Sequence, residues 1–357
     1  MTDRVLILAG GTGGHIYPAL AVAEILRARG VSLAWLGSAR GMEQRIVPAH
    51  GIELLTIWVS GLRGRGWLGW LLAPFMLGMA TVQALRAILR FRPGVVLGMG
   101  GFVSGPGGFA AWLCRRPLVI HEQNAIPGLT NRWLSRLATR VLQAYPHSFA
   151  ESTHALFTGN PLRAAIVGLA TRPLTARTET TLRVLVMGGS RGAHRLNEVL
   201  PEALCAVVGG GIEVWHQTGE RDLPSTRLAY ARADITARVE PYLHDMPAAY
   251  AWADVAICRA GAMTVAELAA AGLPAVLVPF PFAVDDHQTA NARYLVDAGA
   301  AVLMPEAVLS AADLAHQLTA WQRDRASLRV MAERAGALAR PEAAHAVAQH
   351  CLDLLHG

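Results

Sequence analysis

Val5-Leu6-Ile7-Leu8-Ala9-Gly10-Gly11-Thr12-Gly13-Gly14-His15-Ile16-Tyr17-Pro18-Ala19-Leu20 decides the reading of this chain. Val5 to Ala9 is an unbroken apolar run, as expected of a strand buried on both faces. A glycine turn follows. A helical pattern then runs over Tyr17–Arg29, with Ile16, Leu20, Ala23, Ile25 and Leu26 broadly on one side and Gly30 as its stop. The plan recurs twice. Val95–Gly98 leads into Gly100-Gly101-Phe102-Val103-Ser104-Gly105-Pro106-Gly107-Gly108 and a shorter helix. Val184–Met187 leads into Gly188-Gly189-Ser190-Arg191-Gly192-Ala193 and a longer one. A glycine turn between strand and helix lets backbone N–H groups and the positive helix end face an anion, typically a phosphate. In the first copy His15 adds a proton acceptor beside that position.

Further apolar runs extend the alternation. Leu33–Leu36 and Leu118–Ile120 read as strands in the first half. In the second, Leu182–Met187, Ile212–His216, Ala253–Cys258 and Ala275–Pro279 read as strands, and Ala193–Val208, Thr264–Ala271 and His287–Ala298 as helices. Such alternation implies a doubly wound parallel sheet in each half, an α/β architecture of two similar domains with a ligand cleft at the strand C-termini. Leu162 to Thr181, rich in Arg, Thr and Ala, reads as the linker. The expected domains are 1–161 and 162–341. Pro341 opens a last helical segment, Glu342 to Leu355, that either half could hold and that we assign with the first.

Length and composition agree with two full cores: 357 residues, 53% hydrophobic and 16% charged, with a mean hydropathy of +0.32. The net charge of +6 fits a mildly basic enzyme or, more sharply, attraction to anionic partners: nucleotides, anionic lipid or nucleic acid. The chain contains no Lys, so all 32 basic residues are Arg. That excludes a Lys-dependent phosphate loop and Schiff-base chemistry. Cys114, Cys205, Cys258 and Cys351 are scattered, with no metal-ligand spacing to each other or to His, so no metal is expected. The N-terminus runs straight into a strand, and no signal peptide is expected.

Gly66 to Leu85 carries no charged residue and is long enough to span a bilayer. Three readings compete. Pro74, three glycines and Gln83 weaken a transmembrane helix. A buried core helix is the plain alternative. Trp67, Trp70 and Phe75, with Arg63, Arg65, Arg86, Arg90 and Arg92 flanking, favour a surface that lies on anionic lipid.

A dinucleotide site does not fit. The third glycine of G-x-G-x-x-G, counted from Gly11, would fall on Ile16, and Leu36-Gly37-Ser38 stands where a ribose-binding acid belongs. No Asp-x-Asp pair appears, and the adjacent Asp285-Asp286 reads as a solvated loop. A diphosphate would therefore be neutralised by helix N-termini and arginines, with Arg163, Arg191 and Arg259 as candidates.

Seven stretches, in order, resemble the bacterial MurG family across nearly the whole chain. They are GGTGGHIYPALA from Gly10, GMGGFVSGPGG from Gly98, HEQNAIPGLTNR from His121, TGNPLR from Thr158, GGSRGA from Gly188, CRAGAMTVAELAAAGLPA from Cys258 and PFPFAVDDHQTANA from Pro279. The resemblance implies the GT-B fold, two Rossmann-like domains facing a cleft. It also implies inverting transfer of GlcNAc from UDP-GlcNAc to the 4-hydroxyl of undecaprenyl-pyrophosphoryl-MurNAc-pentapeptide, on the cytoplasmic face of the inner membrane, with no cofactor and no nucleic-acid partner. It assigns His15 as the base beside Thr12, Gly13 and Gly14. Asn124 is placed near donor sugar and acceptor, and Arg163 and Ser190 on the diphosphate. Main-chain groups around Leu243 receive the uracil. Ala262, Met263, Thr264, Val265 and Ala266 lie beneath the donor, with Glu267 on the ribose. Gln288 and Asn291 read the GlcNAc hydroxyls. The family's membrane patch corresponds to Trp67–Met79. Departures are Arg191 for the common Gln, Leu243 for Ile, Ala260 and Ala266 for Ser, and Phe102 for Tyr. Glu122 could share the base role. Another lipid acceptor, UDP-GlcNAc epimerisation and nucleotide binding without catalysis are the rival readings.

Overall fold

The computed structural model describes residues 3–59, 67–169, 181–189, 193–207 and 211–357, with the side chains of 67–71 and 284 outside that description. The chain divides into two compact units, Met1–Arg163 with Arg340–Gly357, and Ala164–Ala339.

The first unit contains β1 (Arg4–Leu8), α1 (Gly13–Ala28), β2 (Ser32–Ser38), α2 (Glu43–Ala49), β3 (Glu53–Ile57), α3 (Trp67–Phe91), β4 (Val95–Gly98), α4 (Ser104–Leu113), β5 (Leu118–Glu122), α5 (Leu129–Leu134), β6 (Arg140–Gln143) and β7 (Leu156–Phe157). The sheet is parallel throughout, in the order β3-β2-β1-β4-β5-β6-β7. Side chains alternate across it, as the period of two requires. Val5 and Ile7 enter a core with Ile16, Leu20 and Leu26 of α1. Leu6 and Leu8 enter the opposite core, with Ala80, Ala84 and Ile88 of α3 and Ala110 of α4. Both faces are covered, which is why these strands read as continuous apolar runs.

The second unit contains α6 (Ala164–Val167), β8 (Leu182–Met187), α7 (His194–Cys205), β9 (Ile212–Gln217), α8 (Leu223–Arg232), β10 (Ala237–Glu240), α9 (Met246–Trp252), β11 (Val255–Cys258), α10 (Ala262–Ala271), β12 (Ala275–Leu277), α11 (His287–Val296), β13 (Ala301–Leu303), α12 (Ala311–Arg323) and α13 (Arg325–Ala337). Its sheet runs β10-β9-β8-β11-β12-β13, again all parallel. The last helix, α14 (Ala343–His356), returns to the first unit, where Val347, Cys351 and Leu355 pack with the α1 core.

In each sheet the strand order reverses once, between β1 and β4 and between β8 and β11. An open parallel sheet leaves a crevice at such a switch point, beyond the strand C-termini. Leu8 lies opposite Gly98, so the first two glycine turns emerge side by side. Met187 lies opposite Cys258, so the third emerges beside the Arg259-Ala260-Gly261 turn.

Several boundaries differ from the sequence reading, each for a local reason. α1 starts at Gly13 rather than Tyr17, because the Thr12 carbonyl accepts from the N–H groups of both His15 and Ile16. The apolar period is silent across glycines, so the first turn was invisible to it. Strand β11 starts at Val255 rather than Ala253. Ala253 ends α9, and the Asp254 carboxylate accepts from the Arg183 N–H and from Arg325. Strand β12 stops two residues before Pro279, which has no N–H to pair.

Helix α3 has an inverted pattern. Its inner stripe, Ala73, Ala80, Ala84 and Ile88, is mostly small and buried. Its large residues face out: Phe75 is 70% exposed, and Leu72, Leu77, Met79, Val82 and Leu89 are exposed with it. Residues Leu72–Phe91 are long and apolar enough to cross a membrane, yet only 22% buried. The core-helix reading of this segment is therefore corrected, because a core helix would bury its largest side chains rather than its alanines. The side chains of Trp67 and Trp70, and Arg63 and Arg65, lie outside the described residues.

Candidate active site

The first two glycine turns are in direct contact. Gly100 and Gly101 have φ of +99° and +83°, where glycine is favoured. A Cβ on Gly101 would collide with the Gly10 carbonyl oxygen. A Cβ on Gly100 would lie 2.9 Å from Nε2 of His15 and 3.3 Å from Oε1 of Gln123. The buried Ser104 hydroxyl accepts from the Gly100 N–H at 3.1 Å and lies 3.2 Å from the Leu8 carbonyl, tying the second turn to the end of β1.

His15 sits in the first turn of α1, with Nδ1 3.3 Å from the Thr12 hydroxyl. Burial lowers its pKa below 6.5, partly opposed by the nearby Glu122 carboxylate and by a hydrogen bond to the Gly10 backbone. The imidazole is thus neutral near pH 7 and able to take a proton. Gly13 lies against the Tyr17 ring, and the Arg163 guanidinium stands 5.2 Å from that ring's centroid.

Part of the anion-receptive turn is already filled by the chain itself. Glu43 is completely buried at the start of α2. Its carboxylate accepts from the N–H of Gly11 at 3.2 Å, and from the N–H and hydroxyl of Ser38 at 2.7 and 2.6 Å. The Gly11 amide is thereby unavailable to a ligand. The first turn's remaining donors are those at the N-terminus of α1.

The HEQN stretch ends β5. His121 is fully buried between the Gly159 carbonyl, 3.0 Å from Nε2, and the Gln123 amide, 3.1 Å from Nδ1. Glu122 accepts from the Asn124 N–H and side chain, the Gly128 N–H and the Asn131 side chain, all at 2.9–3.2 Å. With four donors on its two oxygens, Glu122 orders this loop and is poorly suited to act as a base. Asn124, half-buried, is one of the residues it fixes.

In the second unit, Gly188 and Gly189 follow β8. Ser190 and Arg191 lie outside the described residues. Ala262 to Glu267 form the first turns of α10, where Glu267 Oε2 accepts from the Tyr250 hydroxyl at 2.8 Å. Leu243 is buried in the loop between β10 and α9. Gln288 Oε1 accepts from the Phe280 N–H at 2.8 Å. Asn291 is completely buried and donates to the Ala260 carbonyl at 3.2 Å, so in this arrangement it braces the turn after β11. Arg259, a diphosphate candidate by sequence, is instead engaged: it pairs with Glu306 and donates to the Val278 and Pro279 carbonyls. Among the described residues no group of three or more His, Cys, Asp and Glu could hold a metal ion.

Sequence reasoning missed Glu43, the buried Gln123 amide that bridges the Met99 carbonyl and His121, and a polar chain in the second unit beside β9. In that chain the Tyr230 hydroxyl donates to His216 Nδ1, His216 Nε2 donates to Asn197 Oδ1, and the Asn197 amide holds Asp222 and the Thr218 carbonyl. No spacing announces such partners, because they meet only when the sheet forms. Burial holds His121 down to about 4 and His216 to about 3. The unfolded chain takes up these protons below about pH 6.5 and the folded chain does not. Stability should therefore fall as pH drops from about 6.5 toward 4, by about 1.4 kcal/mol per pH unit for each histidine. Denaturant titrations at pH 7, 6 and 5 measure this; a pH-independent stability would contradict it.

The N-terminal domain model of glycosyltransferase family 28 matches residues 5–143, and its C-terminal domain model matches 183–347. A UDP-N-acetylglucosamine–N-acetylmuramyl-(pentapeptide) pyrophosphoryl-undecaprenol N-acetylglucosamine transferase of Methylococcus capsulatus is 53% identical over 99% of both chains. One of the same name from Alkalilimnicola ehrlichii is 54% identical, also over 99% of each. The crystal structure of Acinetobacter baumannii MurG is 39% identical, with a TM-score of 0.83 over 98% of this chain and 99% of that one. Matched at both domains and along nearly its whole length, the chain belongs to glycosyltransferase family 28, in the group of these GlcNAc transferases.

Proposed function

We propose that this chain transfers GlcNAc from UDP-GlcNAc to the 4-hydroxyl of undecaprenyl-pyrophosphoryl-MurNAc-pentapeptide, converting lipid I to lipid II with inversion at the anomeric carbon. The observation that carries this reading is the full-length identity of 53% to a transferase of that name. In this reading the first unit supplies the base and the second holds the donor. His15 Nε2 takes the proton of the acceptor hydroxyl as its oxygen bonds to the anomeric carbon, and UDP departs with the electron pair of the broken C–O bond. Helix N-terminal amides at the glycine turns, with Arg163 and Ser190, stabilise the charge that develops on UDP. Glu267 holds the ribose, the main chain around Leu243 the uracil, and Gln288 the sugar, with Asn291 supporting it. Asn124 borders the acceptor. UDP release measured with and without the lipid acceptor tests the assignment. Release that depends on the acceptor supports transfer. Release without it, or conversion of UDP-GlcNAc to an epimer, would point to another activity.

The outward face of α3 supports peripheral docking on an anionic bilayer, at the cytoplasmic face of the inner membrane. A helix whose Ala80, Ala84 and Ile88 are packed against the sheet would have to leave the core to cross lipid. Exposed Phe75, Leu72 and Met79, with exposed Arg86, Arg90 and Arg92 toward and just past the C-terminal end of the helix, suit the headgroup boundary instead. Replacing Trp67, Trp70 and Phe75 together with Ser should abolish flotation with anionic vesicles while the melting temperature and activity on a soluble acceptor stay near wild type. A folded variant that still floats would refute the docking surface.

A further inference from the structure

Gln123 is only 2% exposed, and its two amide atoms differ in fate. Nε2 donates to the Met99 carbonyl at 3.0 Å and to His121 Nδ1 at 3.1 Å. His121 can accept there because its Nε2–H donates to the Gly159 carbonyl. The amide is therefore fixed in one orientation: a flip would set its oxygen against the Met99 carbonyl. Oε1 is left buried with no hydrogen-bond partner. It lies 3.3 Å from where a Cβ on Gly100 would stand, and the Cδ2–Nε2 edge of His15 already crowds that position, with Nε2 2.9 Å from it, so the glycine lets the ring edge and the amide oxygen approach each other. A buried acceptor without a donor is destabilising, so its retention beside the base calls for an explanation.

We propose that Gln123 is a positioning residue for His15: its buried oxygen accepts a hydrogen bond from the Nε2–H that forms when the imidazole takes the acceptor proton. The inference rests on the reading of His15 as the base. During transfer the O–H bond of the acceptor hydroxyl breaks, its oxygen bonds to the anomeric carbon, and the proton resides on Nε2. The new glycosidic oxygen is a weaker acceptor than Gln123 Oε1, so the imidazolium turns to the amide. Other groups facing the ring act differently. Glu122 contributes charge from the end of β5, and the Gly10 backbone contributes a hydrogen bond. The Thr12 hydroxyl faces Nδ1 rather than Nε2. Glu43 is occupied by Gly11 and Ser38, Arg163 lies over Tyr17, and His121 is held neutral behind Gln123.

Histidine-selective 13C and 15N labelling of the full chain follows the His15 ring through a pH titration without reference to turnover, with its signals assigned by their loss in His15→Gln. In Gln123→Met the ring should protonate at least about half a pH unit lower than in wild type, because a hydrogen bond to the charged form is gone. The acid limb of kcat/KM against pH, which reports the same ligand-free state, should move with it. An unmoved ring in a folded variant overturns the proposal and leaves the base assignment standing. A shifted ring with an unmoved acid limb overturns the base assignment and the proposal with it, leaving only a contact between the two side chains. If Gln123→Met does not fold, the wild-type protein decides. Its protonated His15 should show an Nε2–H signal protected from solvent exchange, and exchange at the solvent rate overturns the proposal.

Discussion

His15→Ala should lower kcat by about 10²–10⁴-fold while changing the dissociation constant of UDP-GlcNAc by less than a few-fold. A sugar hydroxyl is a poor nucleophile, and the proton must leave as the bond to carbon forms. The substitution removes the proposed acceptor of that proton and leaves the residues proposed to bind the donor in place. The competing account makes His15 a cap for the first turn of α1, through its 3.3 Å contact with Thr12. Magnitude separates the two. A single neutral contact contributes about 1 kcal/mol to stability, and it has no reason to act selectively on the transition state. The acid limb of kcat/KM should also lie below pH 6.5 in wild type, as the lowered pKa of the ring in the ligand-free chain requires, and vanish in the variant. Steady-state kinetics and a donor titration measure both. A rate within a few-fold of wild type, with a lowered melting temperature, would favour the capping role.

Glu267→Ala should weaken UDP and UDP-GlcNAc alike, by about 3 kcal/mol or roughly 150-fold. A carboxylate accepting from two ribose hydroxyls makes two charge-assisted bonds, each contributing roughly 1.5–3 kcal/mol. The Tyr250 hydroxyl, 2.8 Å from Oε2, holds the carboxylate in one rotamer. Tyr250→Phe should therefore weaken UDP less, by about tenfold, through lost orientation alone. Equal losses for UDP and UDP-GlcNAc place the interaction on the nucleotide; calorimetric titration with each ligand measures them. Unchanged UDP affinity would leave Glu267 a partner of Tyr250 and nothing more.

The strand–glycine–helix units were legible because burial on both sheet faces writes continuous apolar runs, and because few residues besides glycine tolerate the turns between them. Val5–Ala9 and Val184–Met187 needed no further context. Short strands such as Arg140–Gln143 and Ala237–Glu240 were not legible, since their charged and polar residues leave only two apolar ones in each and no apolar run stands out. The location of His15 followed from the motif, but what surrounds it did not. Glu43 reaches the first turn from 32 residues away, and Gln123 meets the second only through the pairing of β4 with β5. Helix α3 shows a different gap. Composition announced an apolar segment, yet only the packed structure shows that alanines face the core and that Phe75 and Leu72 face out. The family, fold class and transferase reading taken from the seven stretches agree with the domain matches and the full-length relatives.

The central claim is tested most directly by incubating the purified full chain with UDP-GlcNAc labelled in the sugar and with undecaprenyl-pyrophosphoryl-MurNAc-pentapeptide in anionic vesicles. The account predicts that the label moves into the lipid fraction, one sugar per UDP released, as a β-linked GlcNAc on the 4-oxygen of MurNAc, and that His15→Ala abolishes nearly all of it. Label that stays in the aqueous phase, or that appears in a 2-epimer of UDP-GlcNAc, would contradict it.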